Sequence, residues 1–251
     1  MERFNSKEIN LTSNRFFVNE EQIKFPLIQL SGTENYHLNK VARKKPGDKV
    51  WLFDKKGKSY FAKIEETGIS HSKLFILKIK ERKEPRIRIS LAQALVKSKA
   101  MDLIIQKSTE LGIAKIIPVL SARTIVKIEN KVDIKLSRWK KIVLAAAKQC
   151  GRSDLPSIRP PIDLSEFLEE KKTSKNIFLN ENGGTLLKDV IKKGIPESAL
   201  VLVGPEGGWT DEEENKIIQH DYESVYLGIN ILRTETAAVC SLGILSHFWN
   251  I

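Results

Sequence analysis

LVLVGPEGGWTDEEENKIIQHDYESVYLGINILRTETAA, residues 200–238, holds two short buried-strand signals, each running into a loop of unusual composition. Ala199–Val203 leads into Gly204-Pro205-Glu206-Gly207-Gly208, and Val225–Leu227 leads into Gly228 to Ala237. Asp211–His220 between them has helical spacing, and Thr234–Trp249 follows as a second helix. Strand, helix, strand, helix with continuously apolar strands predicts an α/β domain on a parallel sheet covered on both faces.

The alternation extends upstream. Ile87–Leu95, Ile116–Leu120 and Asn176–Leu179 read as strands. Ser98–Leu111, closed by Gly112, Ser137–Cys150, closed by Gly151, and Thr185–Ile191 read as helices. Before Glu81–Arg86, a charged stretch containing Pro85, the pattern is different. Arg15–Val18, Phe25–Leu30, Lys49–Phe53, Ser59–Ile64 and Ser72–Lys80 are short strands, with one small helix at Glu34–Arg43. That content describes a small β-barrel. The expected organisation is a flexible leader over 1–13, a barrel over 14–81 and the α/β domain over 82–251.

Lys and Arg number 42 and Asp and Glu 31, a net charge of +11. The excess points to a polyanionic partner, RNA first, or to a bias toward surface lysine, since the lysines are spread over many segments. No apolar run approaches the roughly 20 residues of a membrane span, and the first residues have no apolar signal-peptide core. Cys150 and Cys240 make no disulfide framework, and no His or Cys pair has metal-ligand spacing, so neither a membrane nor a metal is expected and a cytosolic setting is. Cys150 reads as a buried structural cysteine and Cys240 as core.

The first loop brings glycine backbone close to a ligand, or simply makes a tight connection. Thr210 and Glu213 have capping-box spacing at the start of an acidic helix, which works against a phosphate there. In the second loop Ile229, Ile231 and Leu232 occupy an exposed connection, where apolar residues suit a flat aromatic ring. Arg233 and Glu235 also fit a structural ion pair.

Together, GPEGGWTDEE and LGINILRTETAA, with MDLIIQKSTELGIAKIIPV from Met101, Arg138-Trp139 and KQCGRSDLP from Lys148, resemble the RsmE-type 16S ribosomal RNA uridine-N3 methyltransferases of the SPOUT superfamily. RFFV at Arg15, HLNKVAR at His37 and GDKVWLFDKKGKSYFAKI from Gly47 extend the resemblance over nearly the whole chain. It implies a PUA-like RNA-binding barrel followed by a trefoil-knotted α/β domain. It also implies a homodimer that binds S-adenosylmethionine and methylates one uridine of 16S ribosomal RNA in the small ribosomal subunit. The cofactor loops would be Val203, Gly204, Pro205, Glu206, Gly207 and Gly208. They would be joined by Leu227, Gly228, Ile229, Ile231, Leu232, Thr234, Glu235, Thr236 and Ala237, and by Asn180 and Glu181. One departure is Asn230, where the family commonly carries arginine.

Uracil N3 is weakly nucleophilic until its proton is lost, so the site must stabilise the resulting anion or accept the proton. Arginine suits the first task, because its planar donors can face the flanking carbonyl oxygens. Arg233 is the preferred candidate, ahead of Arg152 and Arg123; no residue announces itself as the base. Arg15, Arg43, Lys44 and Lys45 are candidate phosphate contacts. Two rival readings stay open: a methyltransferase of this fold with another RNA target, and a non-catalytic RNA-binding factor for ribosome assembly.

Overall fold

The structure is a computed structural model describing residues 15–81, 85–124 and 131–249. The expected leader over 1–13 and part of the expected boundary, residues 82–84, lie outside the described residues. Residues 15–81 together with Leu144–Leu155 form one compact unit; the described residues of Pro85–Val143 and of 156–249 form a second. The two units are therefore not separated by a single cut in the sequence. The end of the helix Val132–Cys150 belongs with the first unit. There Lys148 pairs with Glu34 at 2.9 Å, both largely buried, and Arg15 donates to the carbonyl of Arg152 at 3.3 Å.

The first unit is a six-stranded sheet. Its strands are β1 (Arg15–Phe17), β2 (Ile23–Lys24), β3 (Leu27–Ser31), β4 (Lys49–Phe53), β5 (Lys58–Glu66) and β6 (His71–Glu81). They are ordered β1-β4-β5-β6-β3-β2, and every pairing is antiparallel except β1 with β4. Phe16 of β1 and Ile28 and Leu30 of β3, near opposite ends of that order, share one core with Val50, Leu52, Ile64 and Leu74. A sheet whose two ends bury side chains into one core is strongly curved. The expected helix at Glu34–Arg43 is two short pieces, Gly32–Tyr36 and His37–Val41, followed by Arg43 in the left-handed region at φ 50°.

The second unit carries β7 (Arg88–Ala94), β8 (Lys115–Leu120), β9 (Ser157–Ile158), β10 (Ile162–Asp163), β11 (Lys175–Leu179), β12 (Thr185–Leu186), β13 (Ser198–Val203) and β14 (Glu223–Tyr226). All pairings are parallel, in the order β10-β8-β7-β13-β11-β14-β12 with β9 beside β8. β13 is buried from Ala199 through Val203, as a parallel strand covered on both faces must be. Three details differ from the sequence reading. The helix ending at Cys150 begins at Val132 rather than Ser137. Thr185–Leu186 is a strand, with helix only from Leu187 to Lys192. A short helix at Leu164–Leu168 was not expected; Asp163 caps it by accepting from the Ser165 N–H at 2.9 Å, and it buries Phe167 and Leu168.

Both cysteines are exposed, against the expectation of burial. The helix Thr234–Trp249 explains Cys240: it buries Ala238, Ser241, Leu242, Leu245 and Trp249, a stripe at helical spacing, and Cys240 lies off that stripe. Among the described residues no helix is long and apolar enough to cross a membrane.

Candidate active site

A cavity of about 940 Å³ opens at the C-terminal ends of β11, β13 and β14, where ligands bind in parallel α/β sheets. Its walls come from the loops after these three strands, from Arg123 after β8, and from the start of the helix Ser98–Glu110. The expected cofactor residues all lie on this wall except Gly207 and Thr236. Gly207 is one residue removed and turns its carbonyl to Arg123. Thr236 is exposed on the helix surface.

The loops are fixed from below by a buried polar network. Gln93, fully buried at the end of β7, donates its amide to the Gly204 carbonyl at 3.3 Å and to the Thr234 hydroxyl at 3.1 Å. The Thr234 hydroxyl itself donates to the Gly204 carbonyl at 2.7 Å. One side chain thus ties the loop after β13 to the loop after β14. Sequence reasoning missed it, although a glutamine inside the apolar run Ile87–Leu95 is itself a signal. A buried amide must find partners, so it marks a place where something is being held.

Arg123 holds the other side of the first loop, donating to the carbonyls of Gly207 at 2.7 Å and Trp209 at 3.0 Å. The capping box expected at the next helix is present. The Thr210 hydroxyl accepts from the Glu213 N–H at 3.1 Å, and the Glu213 carboxylate accepts from the Thr210 N–H at 3.0 Å. Its second oxygen accepts from the Ala122 N–H at 2.7 Å. The helix start is therefore already satisfied and is not a phosphate site. Glu206 accepts from the Lys97 N–H at 3.1 Å, tying the loop to the start of the helix Ser98–Glu110.

The third loop turns on Asn180, which is buried and donates to Glu214 and to the Ser224 hydroxyl. The indole of Trp209 donates to the Leu179 carbonyl at 3.3 Å, and its ring packs against Gly204, where an added Cβ would lie 3.1 Å from it. On the outer rim Ile229 and Ile231 are 99% and 77% exposed, so the second loop offers apolar surface to whatever enters.

The three arginine candidates sit in different places. Arg233 lines the cavity, exposed and with no side-chain partner among the described residues. Arg123 lines it too, but its donors are committed to the loop carbonyls. Arg152 belongs to the first unit, buried, with its Nε and Nη2 on the Asp154 carboxylate at 2.9 and 2.8 Å; it does not line the cavity. Of the phosphate candidates, Arg43, Lys44 and Lys45 share one surface turn, while Arg15 is half-buried against Arg152 and the Phe53 ring. Arg233 and Glu235 form no ion pair.

This arrangement can take a ligand that has no phosphate, and the chain's relatives agree. The RNA methyltransferase domain family matches residues 82–246, and the RNA methyltransferase PUA domain matches residues 34–77. The ribosomal RNA small subunit methyltransferase E of Bacillus subtilis (strain 168) is 31% identical over 247 residues, 93% of this chain and 96% of that one. The chain belongs to the ribosomal RNA small subunit methyltransferase E family. A second member of the methyltransferase E family, from Mesomycoplasma hyopneumoniae (strain 232), is 30% identical over 90% of this chain and 95% of its own length. The crystal structure of the methyltransferase E from Neisseria gonorrhoeae, bound to S-adenosyl methionine, superposes with a TM-score of 0.86. It is 32% identical and covers 94% of this chain and 98% of that one. The α/β unit and its PUA-type companion are thus those of methyltransferase E.

Proposed function

We propose that this chain is an S-adenosylmethionine-dependent methyltransferase acting on N3 of a uridine in 16S ribosomal RNA of the small subunit. The observation that carries the cofactor is the cavity itself, formed by three strand-end loops with apolar residues, close glycine backbone and carboxylates. Leu179, Val203, Leu227 and Leu232 offer apolar cover, and Glu181, Glu206 and Glu235 suit a cation better than a phosphate. S-adenosylmethionine, when bound, supplies a methyl group on a sulfonium. The chain's own work is positioning: Gln93 and Arg123 hold the loops, and the rim residues exclude water from the reacting edge. Arg233, on the wall and without a side-chain partner among the described residues, faces the uracil and stabilises the anion left when the N3 proton passes to solvent water. Asn230, also on the wall, brings no charge, so Arg233 carries that task without a second arginine beside it in the loop.

The proposal includes the knot implied by the resemblance, a cytoplasmic setting and a homodimer. Support for the dimer comes from the helices Ser98–Glu110 and Thr234–Trp249. They leave Leu103, Ile244 and Phe248 40%, 38% and 56% exposed on the second unit. Sedimentation velocity is expected to give a dimer at micromolar concentration; a monomer there rejects that part.

A calorimetric titration with S-adenosylmethionine tests the cofactor, and absence of binding removes the enzyme reading. Mapping modified nucleotides in ribosomal RNA of a deletion strain tests the substrate: a 16S uridine that stays methylated there sinks it. Gln93→Leu is expected to weaken cofactor binding about tenfold while the chain stays folded, because one buried hydrogen-bonding group is worth roughly 1–2 kcal/mol. Unchanged affinity would show that the two loops hold their places without the amide.

A further inference from the structure

The outward face of the first unit's sheet carries two rows of side chains that the functional reading does not use. β4, β5 and β6 set Trp51 opposite Phe61 and Phe61 opposite Lys78. The next row sets Lys49 opposite Lys63 and Lys63 opposite Phe75. Directly paired residues point to the same side of a sheet, and the register shift between Phe61 and Ala62 lets Phe75 and Lys78, three residues apart on β6, share that side; Val50, Leu52, Ala62, Leu74 and Ile76 are buried in the core. The six therefore stand together on the face away from the core. The Trp51 and Phe61 rings lie 5.0 Å apart, and Phe75 is 38% exposed.

Two features of this face are unfavourable for the isolated fold. Like charges directly opposite each other on neighbouring strands destabilise a sheet, and Lys49 faces Lys63. Among the described residues neither lysine has a carboxylate partner, nor does Lys78. By contrast, Lys58 and Lys73 nearby are paired with Glu81 and Glu66. Aromatic rings on an outward face, Phe75 exposed and Trp51 and Phe61 half-buried, beside lysines without carboxylate partners among the described residues match the needs of single-stranded nucleic acid, whose bases stack on rings and whose phosphates neutralise ammonium groups.

We propose that this face is a stacking platform for a single-stranded segment of RNA, with bases on Trp51, Phe61 and Phe75 and phosphates on Lys49, Lys63 and Lys78. It rests on the reading of RNA as substrate and adds where the strand lies outside the catalytic unit. A protein partner of acidic character is the alternative that the test also addresses.

Tryptophan emission tests it on the full-length protein. Trp139, Trp209 and Trp249 are 4%, 9% and 1% exposed, whereas Trp51 is half-buried on the platform. Titration with single-stranded octauridine at low salt is expected to quench Trp51, and Trp51→Phe is expected to remove the quench. Lys49→Gln with Lys63→Gln is expected to weaken octauridine binding roughly tenfold or more. It should also flatten the slope of log affinity against log salt by about 1.4, from a slope of about 0.7 per phosphate contact on single strands. The proposal is overturned by absence of quenching, by a quench that survives in Trp51→Phe, or by unchanged affinity and slope in the lysine variant. An acidic protein as the true occupant would appear as one of those failures. S-adenosylmethionine titration of the wild type keeps the outcomes separate. Loss of cofactor binding by the wild type defeats the enzyme reading, while the fluorescence result stands on its own.

Discussion

Arg233→Ala is expected to lower turnover by about 10²–10³ while S-adenosylmethionine affinity stays within about threefold, which is the range seen when one charge-stabilising donor is removed from an active site. The side chain is exposed, lines the cavity and has no hydrogen-bond or ion-pair partner among the described residues, so its removal breaks no such bond among them. The effect should therefore fall on kcat more than on KM, as for an interaction made chiefly in the transition state. Arg233→Lys separates charge from shape. It keeps the positive charge and loses the planar pair of donors, and an intermediate turnover is expected. Single-turnover methylation of 16S ribosomal RNA is the measurement. Near-normal kcat in Arg233→Ala would reject the role. The other two arginines provide the contrast, because Arg123 is committed to loop carbonyls and Arg152 to Asp154.

The parallel sheet was legible because its strands are buried on both faces: Ala199–Val203 and Ile116–Val119 admit no outward polar residue, and helices with glycine stops lie between them. The cavity loops were legible for a related reason. Glycine clusters and apolar residues in exposed connections contradict ordinary loop chemistry, and the contradiction marks the site. What was not legible depended on contacts across long stretches of chain. Nothing in Leu144–Leu155 as a string says that it packs with the first unit; the ion pair of Lys148 with Glu34, 114 residues apart, does. Arg152 reads from the sequence as a candidate behind Arg233, and only the fold shows its fork committed to Asp154. Cys240 reads as core because the middle of its helix is largely apolar, so periodicity alone does not select the buried stripe. Gln93 is a polar residue inside the apolar run Ile87–Leu95, yet its value lies in joining two loops far from it in sequence. In each case the local signal was correct about the element and silent about its partner.

Gly184→Ala is expected to be the most damaging small substitution near the site. Gly184 sits at φ +132°, a backbone conformation that side-chain-bearing residues rarely adopt, and an added Cβ would stand 2.3 Å from the backbone oxygen of Ser224. That oxygen belongs to β14, whose Ser224 is paired with Phe178 of β11, so the obstacle is a strand of the sheet and not a side chain able to rotate away. The close approach lets the chain after β11 double back and add β12 to the edge of β14, with Thr185 beside Val225. The same turn holds Asn180 and Glu181 on the cavity wall, and the Ser224 hydroxyl donates to the Gly183 carbonyl at 2.9 Å while accepting from Asn180. Relief of the clash must displace either β12 or this turn. A destabilisation of about 3 kcal/mol is expected from overpacking plus backbone strain, a fall in Tm of roughly 6–12 °C for a chain of this size. Cofactor affinity should fall with it, since the displaced turn is one of the three that form the cavity. Gly183→Ala is the control: the neighbouring glycine is also at positive φ, 121°, but a Cβ there meets nothing within 4 Å. It should show the backbone strain alone, about 1 kcal/mol. If the two variants melt together, the close approach to β14 does not hold the turn, and the third wall of the cavity is set by the Asn180 hydrogen bonds instead.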